Sequence, residues 1–178
     1  MKRAAAVLLA LGLAVSLPGA PSAGAEAPPP TPQAIVEALY RPYLADPHAE
    51  KDIATDSVAS IRRHATPALA RLLDADRACQ ARTHAICALD FDLIVDGQDW
   101  DLSGFGLETA TVGDTATVTA RFINGTPRVL AYHFVMTGGR WRVDDLLILK
   151  DDAAASDQPW SLKDTLAREY GPAAKKHR

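Results

Sequence analysis

Two groups of carboxylates are the residues here best placed to do chemistry. Asp145 lies in the run "RWRVDDLLIL", and Tyr132 in the run before it, "RVLAYHFVM". An aspartate held among Trp141, Val143 and Leu147 is a candidate general base, and a tyrosine opposite it a candidate acid or hydrogen-bond donor. That pair is catalytic only if the chain is an enzyme. The structural alternatives are an Asp–Tyr hydrogen bond that closes the core, or a β-bulge that turns Asp145 outward. The second group sits in "LDFDLIVDGQDWD", where Asp90, Asp92, Asp96, Asp99 and Asp101 fall within twelve positions without an intervening Lys or Arg. An EF-hand needs D-x-[DN]-x-[DN]-G and a Glu six residues later, and neither is present. Asp96, Asp99 and Asp101 around Gly97 would still offer oxygens to a cation if the turn were tight. The ordinary alternative is a buried Phe91 to Val95 segment flanked by solvated turn residues. No metal and no cofactor is assigned.

Cys79 and Cys87 are the only cysteines. Their spacing is not C-x-x-C, and a metal site with His84 lacks a fourth ligand at a familiar spacing. An even count in an exported chain reads as a disulfide closing "CQARTHAIC". The sequence holds no G-x-S-x-G, H-E-x-x-H, P-loop or dinucleotide fingerprint, so the usual support for hydrolase, metalloprotease, kinase and dehydrogenase chemistry is missing. Trp100, Trp141 and Trp160 read as core or rim residues.

These side chains must be positioned by helices first and strands afterwards. Thr31 caps and Pro32 opens a helix bearing Ile35, Val36, Leu39, Tyr40 and Tyr43 on one face, which Pro42 should end or kink near Tyr40 or Arg41. Val58 and Ile61 mark a helical stretch from Asp56 to His64. A second Thr-Pro start precedes Leu69, Leu72 and Leu73. The period then changes: "TATVTARF" alternates strictly, with Ala116, Val118, Ala120 and Phe122 on one side, as in a half-exposed antiparallel strand. "NGTP" marks a turn, and two further strands meet at Gly138-Gly139. A two-residue turn there sets Met136 opposite Trp141, Phe134 opposite Val143, Tyr132 opposite Asp145 and Leu130 opposite Leu147, with His133 near Asp144. Slipping by one would pair Phe134 with Arg142 and mix the faces. A last helix is capped by Ser161, with Asp164 three residues on and Leu162, Leu166 and Tyr170 in its stripe.

The N-terminus reads as an address. Lys2 and Arg3 precede the apolar Ala4 to Leu17, and Ala23-Gly24-Ala25 supplies the small residues of a cleavage site, so residues 1–25 are expected to be a signal peptide. Fourteen apolar residues are too few to span a bilayer, which needs about 20, so no membrane anchor is expected. Residues 26–32 form a proline-rich tether, 33–170 a single domain and 171–178 a basic tail. Losing Lys2 and Arg3 moves the formal net charge from −3 to −5, which argues against nucleic acid as a partner. A periplasmic or secreted location follows.

Helices followed by a meander ending in "YHFVMTGGRWRVDDLLIL" resemble the cone-shaped domain of nuclear transport factor 2-like proteins. With the exported N-terminus and "DFDLIVDGQDW", the chain is similar, over roughly residues 33–150, to an uncharacterised secreted bacterial family of that superfamily. The resemblance implies an α+β fold, N-terminal helices packed on a curved antiparallel sheet, with a pocket at the open end. Tyr132, Phe134, Trp141, Asp145 and Trp100 are the residues expected to line it. It implies no reaction, because the superfamily includes isomerases, dehydratases, binding modules and interaction domains. Ketosteroid-isomerase-like members use a pocket carboxylate and a tyrosine, and neither is matched by motif here. The expectation is an exported domain of the cell envelope that binds a small molecule or an envelope protein. An isomerase or dehydratase using Asp145 and Tyr132 is the alternative. Homodimerisation through the sheet is left open, because Thr115, Thr117 and Thr119 are neither apolar nor charged.

Overall fold

The computed structural model describes residues 28–51, 55–149 and 159–172. The expected signal peptide and cleavage site, and the basic cluster Lys175 to Arg178, lie outside these residues. Three helices come first: α1 (Pro32–Ala45), α2 (Ser57–His64) and α3 (Pro67–Thr83). Four long strands follow, β1 (Leu102–Val112), β2 (Thr115–Asn124), β3 (Thr126–Thr137) and β4 (Arg140–Leu149), and then a two-residue β5 (Trp160–Ser161) and α4 (Leu162–Tyr170). The strands form one antiparallel sheet in sequence order, curved around the helices, so the fold is α+β.

Side-chain caps set the helix starts. Thr31, Asp56, Thr66 and Ser161 each accept the backbone N–H three residues on, which satisfies one of the orphan donors at a helix N-terminus. α1 runs through Pro42 to Ala45, past the expected stop. Pro42 and Ala38, whose carbonyl loses its partner, are both exposed, so water can take up that oxygen. Tyr40 and Tyr43, buried on either side of the proline, hold the helix to the core.

The core lies between α1 to α4 and the inner face of the sheet. Ala116, Val118, Ala120 and Phe122 are all buried, as their alternation requires. Tyr40 is at its centre, with ring centroids 4.7 Å from Phe105, 5.6 Å from Phe122 and 6.3 Å from Tyr132. β1 departs from expectation, since the sequence gives it no alternation. It is an edge strand, exposed from Glu108 to Val112, and a register irregularity between Ser103 and Gly106 shifts its inward positions.

The β3–β4 hairpin turns on Gly138 and Gly139, both at positive φ (58° and 71°), as a two-residue turn of this hand demands. Met136 faces Trp141 and Phe134 faces Val143. Beyond that point a bulge intervenes: His133 pairs with Asp145, Tyr132 with Leu146 and Leu130 with Ile148. The expected pairs Tyr132–Asp145, His133–Asp144 and Leu130–Leu147 are therefore corrected by one residue. Two adjacent aspartates cannot both avoid the core on a regular strand, because successive side chains point to opposite faces. The extra residue releases both of them and puts Leu146 inside, where it is fully buried.

Cys79 and Cys87 are joined in a disulfide that ties the end of α3 to the following loop. Asp76, 1 % exposed, fixes the same region by accepting bonds from Tyr170 Oη (2.7 Å), Ala88 N (2.8 Å) and Gln80 Nε2 (2.9 Å). Burial, and then the bond to Asp76, push the Tyr170 phenol up to about 12. Among the described residues no helix is long and apolar enough to cross a membrane.

Candidate functional site

The bulge decides what Asp145 does. Its Oδ1 accepts from the backbone N–H of Leu146 (2.8 Å) and of Lys163 (2.9 Å), and its Oδ2 from the Ser161 hydroxyl (2.7 Å). Ser161 caps α4 and Lys163 lies in its first turn, so the carboxylate holds the positive end of that helix. Asp144 accepts from Thr66 Oγ1, the cap of α3, at 3.1 Å and from Lys163 Nζ at 2.6 Å. The two aspartates thus pin two helix starts to one strand. Tyr132, on the other face, is fully buried and donates to Tyr40 Oη at 3.3 Å. The structure does not bring Asp145 and Tyr132 together. Burial holds both phenols, Tyr40 and Tyr132, well above the usual tyrosine range.

The aspartates of "LDFDLIVDGQDWD" disperse. Asp92 Oδ2 accepts from Tyr43 Oη at 2.5 Å, and its Oδ1 from the N–H groups of Ile94 (2.8 Å) and Val95 (3.3 Å), which folds the chain into a turn. Asp96 pairs with Arg128 at 3.1 Å and Asp101 with His48 at 2.7 Å. Asp90 and Asp99 are exposed. Burial, and then the hydrogen bond it donates to Asp92, push the Tyr43 phenol far above its ordinary value. Among the described residues no three acidic, His or Cys side chains gather as a metal site would need.

The residues expected to line one pocket are spread out. Tyr132 and Phe134 are core residues with no exposed surface to offer (0 % and 1 %). Trp100 packs edge-on to Tyr43, 5.2 Å between centroids, and its Nε1 donates to Asp46 O at 2.7 Å. Of that set only Trp141 borders a cleft of about 580 Å³ among the described residues.

That cleft opens where the α2–α3 link meets the hairpin. Ala65 forms a parallel bridge to Val143, and Thr66 N donates to Val143 O at 2.8 Å. The end of α2 is thereby laid along the edge of β4. Arg63 and His64 come to lie beside Trp141 and Arg142, with Arg142 Nη1 donating to Arg63 O at 3.4 Å. Pro28 to Pro30, Ile35, Arg140 and the glycine turn complete the lining. Among the described residues none of the lining is acidic. Burial, and then the charges of Arg63 and Arg142, hold the His64 imidazole below its usual pKa. The sequence signal for this site was "RRH" at one helix end and "RWR" after the glycine turn. Neither run points to a site until a contact spanning 78 residues joins them.

Comparison with known proteins returns no matching family model, no similar curated protein and no similar solved structure.

Proposed function

We propose that this chain is an exported binding domain of the cell envelope, built on a nuclear transport factor 2-like cone, that takes a small molecule in the cleft beside Trp141. The observation that carries this reading is how the polar groups are divided. Asp92, Asp144 and Asp145 spend their oxygens on turn amides, helix caps and Lys163, and Tyr132 is sealed in the core. An open cleft of about 580 Å³, within the size range of small-molecule sites, is lined instead by cations, prolines and an indole. Such a lining suits recognition, and it offers no carboxylate to act as a base. The disulfide suits a chain that reaches the periplasm or the medium, where thiols oxidise.

A fragment screen by NMR on the exported form, residues 26–178, tests the reading. Every helix and strand of the described residues falls within that form. Hits should shift the resonances of Trp141, His64 and Arg63. Hits that instead move Tyr132 and Phe134 would sink it in favour of an interior, enzyme-like site.

A further inference from the structure

Resting on the binding reading above, we infer that the cleft selects an amphipathic anion: a carboxylate or phosphate head joined to a compact apolar body. Three observations lead there. First, its charge is one-sided. Arg63, Arg140 and Arg142 line it with His64 and no acidic residue among the described ones. Elsewhere on the described surface Arg62 pairs with Asp74, Arg77 with Asp56, Arg121 with Glu108 and Arg128 with Asp96. The polar bonds found for Arg63 and Arg142 go to neutral oxygens, the Ser60 hydroxyl at 3.0 Å and the Arg63 carbonyl at 3.4 Å. Guanidinium groups so placed keep N–H donors for a planar carboxylate or a phosphate, which they can bind in a two-pronged fashion.

Second, the cations are held by backbone, which fixes where the head group must sit. Arg63 closes α2, whose end is fastened by the Ala65–Val143 bridge, and Arg142 is the residue before Val143 on the same strand. Third, the remaining wall is apolar. Trp141, Ile35 and Pro28 to Pro30 line the same cleft and offer an apolar surface to a ring or a short chain, on which the indole can also stack. A free inorganic ion would use the arginines and leave the apolar lining unused, whereas a neutral ring would use that lining and leave Arg63 and Arg142 without a counter-charge.

The test follows the Trp141 indole N–H by NMR, assigned with Trp141→Phe, while four probes are titrated into residues 26–178: phenyl phosphate, 4-phenylbutyrate, 4-phenylbutanol and inorganic phosphate. The two ring-bearing anions should shift the indole. The alcohol and inorganic phosphate should each bind at least tenfold more weakly than the matching anion. Arg63→Met and Arg142→Met should each weaken the anions about tenfold and leave the alcohol unchanged. Arg121→Met, on the far side of the sheet, should change nothing. If the alcohol binds as tightly as the butyrate and the arginine variants make no difference, the anion inference fails while the binding reading stands. Equal affinity for phenyl phosphate and inorganic phosphate overturns the apolar half. If no probe moves the indole, both readings fall. Cosedimentation with phosphatidylglycerol vesicles, lost in Arg142→Met, would place the anion on a lipid, and its absence would place it on a free ligand.

Discussion

Removing the Asp145 carboxylate separates a structural role from a catalytic one. Asp145→Ala deletes an acceptor that serves three donors, at 2.7 Å from Ser161 Oγ, 2.8 Å from Leu146 N and 2.9 Å from Lys163 N. Bonds to a charged acceptor contribute about 1.5–3 kcal/mol each when isolated. The site is only half-buried, so water can replace part of that, and the three bonds share one group and do not add. Lost capping of α4 costs about 1 kcal/mol, the lost charge at its N-terminus about 0.5 kcal/mol, and a strand N–H left poorly satisfied about 1–2 kcal/mol. The variant should therefore be destabilised by about 3 kcal/mol. At about 3 °C per kcal/mol for a domain of this size, its melting temperature should fall by about 9 °C. Asp145→Asn keeps the shape and one oxygen but not the charge, and should fall by about a third of that. Thermal and urea unfolding followed by circular dichroism at pH 7 read both variants. Ser161→Ala should cost about 1 kcal/mol alone and less than that in the Asp145→Ala background, because the two residues share a bond. A melting temperature for Asp145→Ala within 1 °C of the parent, or above it, would refute this account. It would put the carboxylate among groups kept for function at the expense of stability.

Four further expectations can be checked on the same protein. Replacing Cys79 and Cys87 by Ser opens a nine-residue loop, and the chain-entropy model gives a loss of about 2.5 kcal/mol, readable as a lower urea midpoint. Tyr132→Phe removes a buried hydroxyl bonded to Tyr40 Oη and should cost about 1 kcal/mol by the same measurement. The melting temperature should be the same in calcium and in EDTA, because the aspartates of residues 90–101 go to separate partners; a rise of several degrees with calcium would show a cation held by the native state. His64, with its folded-state pKa below the unfolded one, binds protons less readily when native, so its contribution to stability should be lost as pH falls from about 6.5 through the folded-state pKa. His64→Gln should flatten that part of the stability profile, and an NMR titration midpoint at or above 6.5 would contradict the lowered pKa.

What the sequence made legible follows from the range of the forces involved. Thr-Pro starts, the Ser161 cap and the strict alternation of residues 115–122 are local, and each stands where its pattern places it. The hairpin register was legible only as far as the glycine turn governed it. Met136–Trp141 and Phe134–Val143 hold, and the ladder then slips at the Asp144-Asp145 pair. That slip is settled by Thr66, Ser161 and Lys163, which lie elsewhere in the chain and reward both carboxylates for leaving the inner face. β1 carries no clear alternation because its inward residues Leu102, Phe105 and Leu107 straddle a register shift and residues 108–112 are exposed on the sheet edge. The cleft is the extreme case, because its two basic runs are ordinary surface text until the Ala65–Val143 bridge brings them face to face. The carboxylates that looked chemical are engaged by caps, turns and a lysine of the fold, and the cations that looked like solvated surface are gathered by a distant contact. For this chain the search for function therefore moves from the aspartates to the arginines, and Arg63 and Arg142 are the residues whose replacement decides it.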